Sequence, residues 1–186
     1  GAGHTWVLMR PNIRDAFAQC AVPTVSEDTR LGCFHGIGHG LSERYGDDFV
    51  TGVTQCLLLP ESKARYQCAH AIFMEQRSTS SLKNFPVNLV QYCQGLPIEV
   101  GASCFEFIGM LSFSRIQDVA ASLAVCAHAP APLQSGCRAR VGEALFLSHR
   151  TGDDIRHCIR SGEDKTMSCV TGFLRTSIDH VNDVYG

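Results

Sequence analysis

The sequence lacks an excess of charge of either sign, with sixteen Lys and Arg set against eighteen Asp and Glu in 186 residues. That balance leaves no basic face with which to grip nucleic acid or an anionic membrane, and it argues against a dedicated nucleic-acid binder. Long hydrophobic runs are missing too. The longest low-charge stretch, roughly Val119 to Leu133, is broken by His128, Pro130 and Pro132 and is too short to cross a bilayer. No G-x-S-x-G elbow, phosphate loop or dinucleotide fingerprint is present, and no asparagine sits in a glycosylation pattern. The chain opens Gly1-Ala2-Gly3 with neither Met nor an apolar leader, as expected of a trimmed precursor with a cloning remnant.

Cysteine is abundant, at ten residues, yet no C-x-x-C occurs, which removes the usual zinc, thioredoxin-like and c-type haem motifs. The spacings are regular instead. Cys33, Cys68, Cys104, Cys137 and Cys169 step by 35, 36, 33 and 32 residues; Cys20, Cys56, Cys93, Cys126 and Cys158 step by 36, 37, 33 and 32. Two interleaved series with one period indicate a repeat the size of a helix hairpin. The short gaps, Cys20 to Cys33 and its four equivalents, hold the loop signals Pro23, Pro60, Pro97, Pro130 and Pro132, with Ser161-Gly162-Glu163-Asp164 in the fifth. Each long gap then holds two helices, a helix A beginning at the second cysteine and a helix B after it. Asp47 and Asp48, Asp118, and Asp153 and Asp154 supply N-caps for B, and Pro11 and Pro86 suit its first turn.

The start of A and the end of B lie at the same end of a hairpin, so bridges within one hairpin and bridges across the loop to the next are both sensible. Only the second scheme uses all ten cysteines: Cys20 with Cys33, Cys56 with Cys68, Cys93 with Cys104, Cys126 with Cys137, and Cys158 with Cys169. Closing loops of this size stabilises a fold by about 3 kcal/mol each in the chain-entropy model. Five such bridges point to a secreted, periplasmic or extracellular protein. The expected architecture is all-α: a right-handed α/α solenoid of about five disulfide-stapled hairpins in one domain, residues 1–186. Its repeats run roughly 1–32, 33–67, 68–103, 104–136 and 137–168, with 169–186 as a cap.

In this period and hairpin layout the chain resembles Sel1-like and TPR-type helical repeats, particularly their disulfide-stapled secreted versions. The resemblance implies a curved scaffold that binds another protein, and it implies no catalytic residues.

Aligned on their leading cysteines, the A helices carry Ile37, Ile72, Ile108, Val141 and Phe173 four residues on, which is a core column. The next column contains Gly38, Gly109 and Gly142, read as close helix packing. The columns two and six residues after the cysteine share one face. They read His35 and His39, His70 and Met74, Glu106 and Met110, Ala139 and Glu143, then Thr171 and Arg175. Stacking of successive A helices is expected to gather His35, His39 and His70 with Met74, Glu75 and Glu106, an imidazole, carboxylate and thioether set suited to a transition metal. Three His with a carboxylate suit zinc or iron; His with Met suits copper. Gly36 and Gly40, each costing about 1 kcal/mol in a helix, would admit a ligand or a neighbouring backbone beside the histidines, or mark an irregular first turn.

His4, His128, His149, His157 and His180 fall in termini, loops or helix ends without a matching column and read as solvated or capping residues. The expected function is metal binding at a mononuclear His-rich site, with metal-dependent oxidase or oxygenase chemistry as its extension. The alternative is a metal-free scaffold that holds a protein or peptide partner in its groove. Arg138, Arg140, Phe146, Arg150 and Arg175 are candidates for a partner patch in either case.

Overall fold

The computed structural model describes residues 2–10, 12–76, 87–149, 154–160 and 163–185. Among these the chain is all helix, with eleven α-helices and no strand. Short helices alternate with long ones. The short series is α2 (Ile13–Cys20), α4 (Phe49–Cys56), α6 (Val87–Gln94), α8 (Val119–Cys126) and α10 (Ile155–Ile159). The long series is α3 (Glu27–Tyr45), α5 (Ser62–Glu75), α7 (Ile98–Ile116), α9 (Gln134–His149) and α11 (Glu163–Tyr185), preceded by α1 (Ala2–Met9).

The short helices begin where the sequence supplies a cap. Asn12 accepts from the Arg14 N–H (3.1 Å), Asp48 from Thr51 (3.1 Å) and Asp118 from Ala121 (2.7 Å). Asp154 stands at the N-cap of α10 but its side chain makes no capping hydrogen bond, while Pro11, Pro86, Asp153, Ser161 and Gly162 lie outside the described residues.

The long helices do not begin at their cysteines, as the spacing suggested. They begin earlier: α3 at Glu27 before Cys33, α5 at Ser62 before Cys68, α7 at Ile98 before Cys104. The reason is local. Ser26 accepts from the Thr29 N–H and caps α3 (3.2 Å), and Pro97, directly before α7, receives the Gly101 N–H on its carbonyl (2.7 Å). The prolines in the short gaps therefore mark helix starts as well as ends.

Disulfides join Cys20 to Cys33, Cys56 to Cys68, Cys126 to Cys137 and Cys158 to Cys169, with Cα atoms 5.5–5.7 Å apart. Cys93 and Cys104 are disulfide-bonded as well, and no cysteine is free. Each of the four pairs crosses the loop from a short helix to the next long one. Five bridges indicate an oxidising compartment. Among the described residues, no helix is long and apolar enough to cross a membrane.

The chain groups into two compact units: Gly1–Lys83 with Pro97–Cys104, and Asn84–Leu96 with Phe105–Gly186. In the first, α1, α3 and α5 lie side by side, with α2 and α4 packed against them. In the second, α9 packs against α11, with α8 and α10 beside them. The expected core column is buried throughout: Ile37, Ile72, Ile108 and Val141 are wholly inaccessible and Phe173 is nearly so.

One helix joint recurs in both units. A Cβ built on Gly38 would stand 2.1 Å from the Cys68 carbonyl oxygen, and one on Gly142 would stand 1.9 Å from that of Cys169. Only glycine permits so close an approach of one long helix to the cysteine turn of the next.

Candidate functional site

The glycine joints place the histidines. Gly38 lets α5 come against α3 at the Cys68 turn, two residues before His70. On α3, His35, His39 and Glu43 recur every four residues and so line one face. The His35 ring lies 4.8 Å from that of His39, edge on, and 5.7 Å from that of His70, centroid to centroid. Tyr66, one turn before His70, stacks on it at 5.5 Å. The three histidines expected to share a face are thus brought together.

The hydrogen bonds fix how they present themselves. His39 Nδ1 donates to Glu75 Oε1 (2.7 Å), because the carboxylate can only accept. That leaves the lone pair of neutral His39 on Nε2, which stands 3.2 Å from His35 Nε2. His35 Nε2–H then donates to it, and the remaining His35 nitrogen, Nδ1, is buried with no hydrogen-bond partner. Burial, and next the positive charge that His39 carries when protonated, push the His35 pKa below its ordinary value; Gln67 offsets part of this without closing a hydrogen bond to Nδ1. His35 is held as a neutral imidazole.

A fourth histidine, expected to be terminal and solvated, joins the row. His4 on α1 pairs through Nε2 with Glu43 Oε2 at 2.6 Å. The signal was present in the repeat: Gly3 meets the Cys33 carbonyl as Gly38 meets that of Cys68, a Cβ standing 2.1 Å away in both. Each glycine is followed by a histidine, His4 and His39, and each histidine is held by a glutamate from the next long helix. Gly36 and Gly40 are explained by the same packing. A Cβ on Gly40 would come within 2.9 Å of the His4 carbonyl oxygen, and one on Gly36 within 3.3 Å of the His4 nitrogen. It is a neighbouring backbone, α1, that these glycines admit.

A pocket of about 460 Å³ opens between these pairs, lined by His4, His39, Ser42, Glu43, Gly46, Asp47, Glu75 and Gln76. Gly46, at φ +54°, ends α3 and turns the chain so that Asp47 reaches the rim.

The other expected donors divide. Met74 is partly exposed on α5, whereas Glu106 and Met110 belong to the second unit. There Glu106 accepts from Arg140 Nη2 (3.1 Å) and Nε (3.3 Å), and Met110 is buried. Among the described residues, no group of three or more His, Cys, Asp or Glu side chains converges as it stands on a single metal position.

The late-repeat patch is largely consumed by packing. Arg140 pairs with both Glu106 and Glu143, and Phe146 is buried edge on against Phe173. Burial lowers the Arg140 pKa, but Glu143 and then Glu106 outweigh it and hold the guanidinium above its usual range. Arg138 donates to Gln134 (2.6 Å), Arg175 is exposed, and Arg150 lies outside the described residues. His128 and His157 are exposed, and His180 packs against Phe146.

Compared with family models, with curated proteins and with solved structures, the chain finds no match.

Proposed function

We propose that this chain is a secreted or periplasmic metal-binding protein whose site is built on α3 and α5. The observation that carries the reading is the 3.2 Å separation of His35 Nε2 and His39 Nε2. Two imidazole nitrogens on one tetrahedral zinc, each about 2.0–2.1 Å from the ion, lie about 3.3 Å apart. The pair therefore has the spacing of two ligands of one ion, reached when the His35 proton moves from Nε2 to Nδ1 and leaves both Nε2 lone pairs to the ion. Glu75 behind His39 Nδ1 supports it, since a carboxylate on the outer nitrogen fixes the tautomer that offers Nε2 and raises its basicity. Glu75 is thus an orienting group.

His70, with its ring 5.7 Å from that of His35, is the third donor, brought in by a side-chain rotation. Met74 is the added donor if the ion is copper; zinc or iron would be satisfied by the histidines with water. Such an ion supplies Lewis acidity or, for iron and copper, an electron-transfer centre. What the chain supplies is imidazoles on helices held by glycine joints and disulfides. The same reading takes the helices to continue as a solenoid of about five stapled hairpins of the Sel1-like or TPR type.

The test is elemental analysis of protein purified from an oxidising compartment without a histidine tag, beside a His35→Ala, His39→Ala double variant. Near-stoichiometric zinc, copper or iron that is absent from the variant is the expected result. A protein that is empty and takes up none of the three when they are added overturns the reading, and makes a metal-free groove for a protein or peptide partner the leading account.

A further inference from the structure

The last long helix carries a stripe that no part of the fold described above uses. α9 packs on α11 through Gly172 and Cys169, and Phe173 is buried on the same side. Turned away from that contact, Met167 is 71% exposed, Leu174 44%, Ile178 58% and Val181 52%, with Val170 half-buried between them. At about 100° per residue these five side chains fall within about 40° on either side of Leu174. Large apolar residues so exposed along four turns of one helix mark an interface.

The order of residues says what covers it. Met167 and Val181 lie seven residues before and after Leu174, and Val170 and Ile178 lie four before and after. The edge repeats the symmetry, with Thr171 three before and Ser177 three after. A stripe whose apolar positions are spaced symmetrically about its centre is self-complementary in an antiparallel helix pair. That is the demand of a two-fold interface, where residue i meets residue j and j meets i. We infer that α11 pairs antiparallel with α11 of a second copy of this chain, the two-fold axis passing beside Leu174. Met167 then meets Val181 of the partner copy, Val170 meets Ile178, and the two Leu174 side chains meet each other. Between Met167 and Val181 no charged residue lies in this arc; Arg175 and Asp179, both exposed, fall outside it.

The test is sedimentation equilibrium of the 186-residue chain from micromolar to hundreds of micromolar, with Leu174→Asp and Leu174→Cys variants beside it. Wild type is expected at twice the mass of one chain. Leu174→Asp, which would oppose two carboxylates across the axis, is expected at the mass of one chain with an unchanged far-ultraviolet spectrum and all native bridges intact. Under mild oxidation Leu174→Cys is expected to form a 174-to-174 disulfide between two chains, mapped by peptide mass spectrometry. A wild-type monomer at every concentration overturns the inference, as would be found if another segment or another protein covers the stripe. A dimer that survives Leu174→Asp, or whose cross-links join other positions, overturns it equally. Neither result depends on whether the histidines hold metal.

Discussion

The two units share a joint and differ in what they display beside it. In the first, the residue after Gly38 is His39, turned to Glu75 and to His35. In the second, the residue after Gly142 is Glu143, and with Glu106 it closes on Arg140. Backbone geometry at the two joints is nearly the same, a Cβ meeting the next cysteine carbonyl at 2.1 Å and at 1.9 Å. The chemistry differs: one face sets two imidazole nitrogens beside each other, whereas the other spends its charges on each other. The fold therefore sets positions and leaves the face columns free to vary, because those side chains point away from the buried column that holds the helices together.

The comparison is broken most forcefully at the bridges. Replacing Cys56 and Cys68 by Ser, or Cys126 and Cys137 by Ser, opens loops of nearly equal length and is expected to cost about 3 kcal/mol in either case, measured by denaturant unfolding. Only the first pair is expected to lose metal as well, by elemental analysis; equal loss from both would show that the site depends on more than its own unit.

A finer cut is made at the joints. Gly38→Ala and Gly142→Ala each force a methyl against a carbonyl and are expected to destabilise by about 1–3 kcal/mol. Gly38→Ala alone should move His70 away from His35, read as a change in the histidine ring proton resonances that Gly142→Ala does not produce.

Smaller still is the effect of removing one carboxylate. Glu75→Gln is expected to weaken zinc or copper binding by about 10- to 100-fold in a competition titration, while Glu143→Gln leaves it unchanged.

The least effect is one of pH. His35 is held below its ordinary value, so the unfolded chain takes up the proton first as pH falls. The metal-free protein should then lose stability progressively below about pH 6.5, and less steeply in a His35→Gln variant. Parallel slopes in the two proteins would show that His35 is not the group responsible.

Much of the fold is legible in the cysteines. A bridge across a short loop needs its two half-cystines at fixed places on consecutive helices, so the covalent pattern repeats with the structural unit and appears as two series with one period. The buried column follows, since a residue one turn beyond the cysteine faces the same way in every repeat. Helix starts were less legible. Ser26 and Pro97 begin helices inside gaps that read as loop, because a cap acts over one turn whereas cysteine spacing averages over a whole hairpin.

By itself, the sequence determined the all-helical class and the period of the cysteines, narrowed the bridges to two schemes, and set His35, His39 and His70 in matching columns, all of which follow from intervals along one chain. Only the tertiary structure decided that His4 belongs to the row, that Gly36 and Gly40 make room for α1, that Glu75 stands behind His39, and that Glu106 is given to Arg140. Each of these depends on how closely two helices approach. That distance is set by the side chains missing at the joint, and no interval within one chain records it.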